Sequence, residues 1–196
     1  MSTDMIRSGG WYEWNWNPII GCRHGCSYCY AARYAKAHGW TDDFANPTFY
    51  PERLKEPYEI KKPSIIFVCA YADLLGEWVN AEWIKDIINT TNETPQHTYV
   101  FLTKNPVRYK EFNWGSNCML GVTIESPLQI WRAEALRSLP QKKFCSIEPV
   151  LGDFTNIDLS VFDWVVVGYR IYHRRTYREK KWYESVKHHN LYKIVR

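Results

Sequence analysis

Cys22-Arg23-His24-Gly25-Cys26-Ser27-Tyr28-Cys29 places three thiols in eight residues with spacing C-x3-C-x2-C, and a helix-forming stretch beginning Cys29-Tyr30-Ala31-Ala32-Arg33 follows at once. Iron–sulfur clusters are held by cysteine thiolates, as a rule four of them. Three in so short a loop, with no fourth nearby, can hold three irons of a [4Fe–4S] cluster and leave the last iron open to a substrate or cofactor. The spacing therefore points to chemistry rather than to simple electron storage.

Other uses of the thiols are weaker. Zinc accepts three cysteines and a histidine, and His24 lies inside the loop, but structural zinc sites come as separated pairs such as C-x2-C with C-x2-C or H-x3-H. The chain has no second pair. A disulfide framework suits small secreted chains; this one shows no signal peptide and reads as an intracellular protein with reduced thiols. Cys69, Cys118 and Cys145 are widely spaced, two within apolar strand-like runs and one opening a strand. They are expected to be buried structural residues.

The 196 residues fit one domain, 1–196, long enough to bury a core without cross-links. No apolar run approaches the ~20 residues that span a bilayer, so a cytoplasmic protein without membrane contact is expected. The net charge of +4 is uneven, because Arg170, Arg174, Arg175, Arg178, Lys180 and Lys181 crowd near the end. Such a run can meet phosphates or be a solvated surface. Ten tryptophans and fourteen tyrosines can stack on bases or fill a core.

From the cysteine loop outward, apolar runs alternate with helical patterns. Ile19-Ile20-Gly21 is expected to end a first strand that delivers the loop, and a helix over 28–38 stops at Gly39. Strands are expected at 64–69, 98–102, 119–124, 143–147 and 164–167. Helices are expected over 81–92 behind the cap Asn80, over 106–112, over 127–139 and over 179–189. Six strands alternating with helices predict an α/β fold, an incomplete parallel (β/α)6 barrel.

In such folds ligands gather beyond the carboxyl ends of the strands. Asp73, Thr103 and Lys104, Thr123 and Glu125, and Ser146 and Glu148 follow or end successive strands, and with the cysteine loop they predict a polar ring.

The cysteine spacing, with the aromatic Tyr28 before the last cysteine, resembles the radical S-adenosylmethionine superfamily. A narrower resemblance runs from about residue 11 to 168, through Trp16-Asn17-Pro18, Ala72-Asp73-Leu74, Pro95-Gln96-His97-Thr98, Leu102-Thr103-Lys104-Asn105-Pro106, 120–125, 146–152 and 163–168. These segments look like the phage Gp37/Gp68 family, domain of unknown function 5131. The resemblance implies a radical S-adenosylmethionine barrel distantly similar to spore photoproduct lyase, with Cys22, Cys26 and Cys29 on a [4Fe–4S] cluster. It also implies S-adenosylmethionine as cofactor, cleaved reductively to a 5′-deoxyadenosyl radical that takes hydrogen from a substrate, and an electron donor such as a flavodoxin or ferredoxin.

By position, Asp73, Thr123, Glu125, Ser146 and Glu148 could then receive the ammonium and ribose groups of that cofactor, Lys104 its carboxylate or a substrate anion, and Tyr28 could lie beside its adenine. A nucleic acid or nucleotide is the favoured substrate, on the distant similarity and the basic run. One departure stands out: the family's Gly-Gly-Glu-Ser-Gly turn after the sixth strand is replaced by Tyr169-Arg170-Ile171-Tyr172-His173 after Gly168, opening a divergent basic segment from about 169. Two alternatives stay open: an iron–sulfur binding or regulatory module without radical chemistry, and a zinc-stabilised nucleic-acid-binding domain.

Overall fold

The computed structural model describes residues 11–169 and 177–195. Seven parallel strands pair in one sheet: β1 (Trp14–Trp16), β4 (Ile65–Val68), β5 (Thr98–Thr103), β6 (Cys118–Thr123), β7 (Lys142–Ile147), β8 (Trp164–Tyr169) and β9 (Leu191–Val195). They lie side by side in chain order and curl into a half-barrel. A separate antiparallel ribbon joins β2 (Ile19–Ile20) to β3 (Thr48–Phe49).

The parallel α/β architecture is the one expected, with two corrections at its edges. The first barrel strand is Trp14–Trp16, paired with Ile66–Val68, and Ile19-Ile20 instead pairs antiparallel with β3. Pro18 cannot donate a ladder hydrogen bond, which separates the two short strands. Its carbonyl accepts from the amide of Tyr50 at 2.8 Å. A seventh strand, β9, extends the sheet beyond the six expected, through five residue pairs with β8.

Helix α1 (Tyr30–His38) begins two residues later than expected, because Cys29 is its N-cap; α2 (Glu56–Glu59) is a single turn, and α3 (Ala81–Glu93) starts behind Asn80 as expected. The segments Pro106–Glu111 and Pro127–Leu136 are 3₁₀ rather than α-helical. The last helix, α4 (Tyr177–Ser185), ends well before His189. Ser185 Oγ donates to the Trp182 carbonyl at 2.6 Å and accepts from the Phe154 amide at 2.8 Å, tying the helix end to the loop after β7.

Strand periodicity sorts the side chains onto two faces. Ile66, Val68, Tyr99, Phe101, Leu120, Val122, Cys145, Ile147, Val165 and Val167 pack with Ile84, Ile87 and Leu136 in the larger core. The alternate residues Phe67, Val100, Phe144 and Val166 fill the inner face, where Trp11 and Tyr12 close them off. Trp11 meets Phe67, Phe144 and Trp164 at 5.3, 5.9 and 5.5 Å between ring centroids. Gly121 is required here, since a Cβ on it would lie 2.1 Å from the Phe144 ring. Above this aromatic floor the same parity brings up polar residues: Lys104 two past Leu102, Thr123 two past Gly121, Ser146 and Glu148 two and four past Phe144.

Candidate active site

A cavity of about 630 Å³ opens over that inner layer. It is lined by Cys22, Cys26 and Cys29 on one side and by Asp73, Lys104, Thr123, Ser146 and Glu148 at the strand ends, with Tyr28 between. The volume falls in the ~300–1,000 Å³ range of small-ligand sites. Of the ten residues assigned from sequence to the cluster or the cofactor, nine line this cavity, as does Thr103; Glu125 does not, but hydrogen-bonds two that do.

The cysteine loop is held by backbone and side-chain contacts. Gly21, at φ +113°, donates to the Tyr71 carbonyl at 3.0 Å, and a Cβ there would lie 2.8 Å from Pro47 Cα. The Cys22 amide donates to the Phe44 carbonyl at 2.7 Å. Cys29 caps α1, its sulfur accepting from the Ala32 amide at 3.3 Å, so that amides of the first helical turn face the thiol. Burial pushes the Cys22 thiol up to about 11; the Asp73 charge adds to this and a hydrogen bond to the His24 backbone opposes it.

Asp73 is the bolt of the loop. Its buried carboxylate accepts from Thr103 Oγ1 at 2.6 Å, the Lys104 amide at 2.8 Å, the Leu75 amide at 3.2 Å and His24 Nε2 at 2.7 Å. A carboxylate can only accept, so Nε2 carries the proton. His24, weighed in the sequence only as a zinc ligand, thus links the cysteine loop to the carboxyl end of β5. Its ring also meets Trp78 edge-on at 4.9 Å.

Glu125 anchors a second network. Its Oε1 accepts from Tyr28 Oη at 2.9 Å and Lys104 Nζ at 2.8 Å, and its Oε2 from Arg132 Nη1 at 2.9 Å. Lys104 Nζ also donates to Tyr28 Oη at 2.8 Å, leaving one ammonium N–H direction for another acceptor. Burial alone would raise the Glu125 carboxyl, but the hydrogen bond and charge of Lys104, with Arg132, hold it below its ordinary value. Burial, then the Glu125 charge, pushes the Tyr28 phenol far up, so it stays a neutral donor. Arg132 was not singled out in the sequence; its seven-residue offset from Glu125 is bridged only because Ser126 and Gln129 form a capping box behind Pro127 and turn the chain back.

Glu148 lies over the end of the neighbouring strand: a Cβ on Gly168 would come within 2.9 Å of its Cδ. Thr123 and Ser146 are buried beneath the cavity. Cys69, Cys118 and Cys145 are all buried, and burial raises each thiol, that of Cys69 to about 12. Arg170, Arg174, Arg175 and the side chain of Arg178, with the divergent sequence over 170–175, lie outside the described residues. Lys180 and Lys181 are exposed on α4.

The donor set suits an iron–sulfur cluster: the three soft thiols of the loop share one cavity wall, a fourth cysteine, the buried Cys69, also reaches the lining, and His24 is engaged by Asp73. Among the described residues, no three His, Cys, Asp or Glu side chains converge as the grip on a single ion requires. A cluster makes no such demand, because each thiolate meets its own iron.

The curled parallel half-barrel is a fold shared with solved spore photoproduct lyases. Spore photoproduct lyase complexed with dinucleoside spore photoproduct superposes with a TM-score of 0.61 at 15% identity, over 93% of this chain and 63% of that one. A variant of that lyase with bound AdoMet and the same dinucleoside gives 0.61 at 16% identity, over 93% and 62%. The chain thus spans less than two thirds of the length of these lyases. No curated protein sequence matches it at a significant level. Residues 8–195 match the family model "Protein of unknown function (DUF5131)", and the chain belongs to that family. No described helix is long and apolar enough to cross a membrane.

Proposed function

We propose that the protein is a radical S-adenosylmethionine enzyme in which Cys22, Cys26 and Cys29 ligate a [4Fe–4S] cluster. The observation that carries this reading is that the C-x3-C-x2-C thiols and the strand-end Lys104, Thr123, Ser146 and Glu148 line one cavity. When bound, the cluster supplies the electron for reductive cleavage of S-adenosylmethionine to a 5′-deoxyadenosyl radical, which takes hydrogen from the substrate.

The chain's own residues bind, orient and exclude water. Asp73, through His24, fixes the loop against β5, while Glu125 fixes the Lys104 ammonium and the Tyr28 ring on the cavity wall. Ser146, Thr123 and Glu148 offer acceptors for ammonium and ribose hydroxyls, and the remaining Lys104 N–H direction offers a donor for a carboxylate. The aromatic floor of Trp11, Tyr12 and Phe67 keeps the deep end apolar. The fold shared with a lyase seen with a dinucleoside, and the basic run near the chain end, favour a nucleic acid or nucleotide substrate; the electron donor is a protein such as a flavodoxin or ferredoxin.

The test is electron paramagnetic resonance of the reduced, anaerobically reconstituted protein. Addition of S-adenosylmethionine is expected to change the cluster spectrum. A spectrum indifferent to saturating S-adenosylmethionine would instead favour an iron–sulfur module without radical chemistry.

A further inference from the structure

Helix α1 leaves the cysteine loop with an unusual surface. Its small residues Ala31 and Ala35 are buried, whereas Tyr30 and Tyr34 are 46% and 43% exposed although both line the cavity. They therefore form its rim. Tyr34 stacks on His38 at 4.3 Å with 19° between the rings and lies near-parallel to Tyr71 at 6.2 Å; Trp40 packs edge-on against Tyr71 at 4.9 Å. Residues 30, 34 and 38 recur every four along one face, so the stripe runs from the cavity mouth outward for about 12 Å at ~1.5 Å per residue.

The cysteine loop and α1 themselves carry only cations: Arg23, Arg33 and Lys36 fall between residues 14 and 41 with no Asp or Glu, and the exposed Asp42 and Asp43 follow beyond Gly39. All three cations are exposed, and Arg33 sits on the cavity rim between the two tyrosines in sequence. Half-exposed rings interleaved with cations match a polymer of planar, stackable rings on an anionic backbone. An acidic protein segment would use the cations but not the ring faces.

We infer that the α1 face formed by Tyr30, Arg33, Tyr34 and His38 is a docking track for single-stranded nucleic acid, leading two or three nucleotides into the cavity. This rests on the proposed function for the identity of the cavity, and it locates the polymer on α1 rather than on the basic segment near the chain end. The exposed side of the Tyr34–His38 stack supplies the ring face, and Arg33 a phosphate contact.

Fluorescence anisotropy of the full chain with a fluorescein-labelled ten-nucleotide oligothymidine tests it, with unlabelled duplex and thymidine monophosphate as competitors. The single strand is expected to bind more tightly than duplex or mononucleotide. Tyr34→Ala should weaken binding about tenfold, the size of one lost base–aromatic stack, and Tyr34→Phe should restore it. Arg33→Gln should lower the log–log salt slope by about 0.7. Circular dichroism should match the parent for both variants, and Tyr34→Phe, which keeps the ring contacts to His38 and Tyr71, should keep the parent's melting temperature as well. Absence of oligonucleotide binding would overturn the inference, and so would binding insensitive to both replacements, which would move the contact elsewhere. Cleavage of S-adenosylmethionine by the parent protein is assayed in parallel: cleavage without oligonucleotide binding defeats the track alone, and binding without cleavage defeats the enzymatic reading alone.

Discussion

Two sets of polar residues crown the same half-barrel and do different work. Asp73 and Glu125 have their oxygens taken up by protein donors: amides, a hydroxyl and an imidazole for Asp73, two cations and a phenol for Glu125. Thr123, Ser146 and Glu148 belong to the cavity wall, and Glu148 has space only because residue 168 is glycine. An acidic residue at a strand end is thus as readily a bolt that holds the site's other parts as a group that meets the ligand.

The sharpest break between thiols and bolts should come from the cysteines. Alanine at Cys22, Cys26 or Cys29 is expected to abolish iron and sulfide binding, read by elemental analysis after anaerobic reconstitution. Alanine at Cys118 or Cys145 should leave metal content intact and lower the melting temperature instead.

Next in size is Asp73→Ala. It strands the Thr103 hydroxyl, two amides and the His24 ring in a buried place, so a loss of about 3 kcal/mol or more is expected in urea unfolding. Ser146→Ala should cost under about 1 kcal/mol, and both it and Glu148→Gln should weaken the effect of S-adenosylmethionine on the cluster spectrum. If Asp73→Ala is as stable as Ser146→Ala, the distinction between bolt and wall fails.

Glu125 separates the two sets through pH. Its folded carboxyl lies below the ordinary value, so its contribution is present above the unfolded pKa of ~4.5 and is lost as pH falls through the lower folded value. Glu125→Gln should therefore lower stability at pH 7 and flatten the acid limb of the stability profile. A profile as steep as the parent's would mean that Lys104 and Arg132 do not hold the carboxylate. The smallest effect is expected of Gly168→Ala, whose methyl displaces the flexible Glu148 side chain. Stability should barely change, while the cofactor response should fall as in Glu148→Gln.

Much of this was legible because strand periodicity is a local signal. The runs at 65–68, 98–103 and 118–123 are apolar enough to be read as strands, and counting by twos along them places Lys104, Thr123 and Ser146 on one face. Trp14-Asn15-Trp16 was illegible because three residues carry no apolar run, whereas Ile19-Ile20 looks like a strand end and pairs elsewhere. The partnerships of His24 with Asp73, across 49 residues, and of Tyr28 with Glu125, across 97, depend on tertiary packing that no spacing encodes. The proline-led segments at 106 and 127 were placed correctly, but they wind as 3₁₀ helices that pack against each other. Propensity does not foresee that.

The most direct test is chromatographic detection of 5′-deoxyadenosine after the anaerobically reconstituted protein is incubated with dithionite and S-adenosylmethionine. The account predicts a brown protein with about four irons and matching sulfide that forms 5′-deoxyadenosine, and a Cys22→Ala variant that forms none. A colourless protein holding one zinc ion and producing no 5′-deoxyadenosine would contradict it.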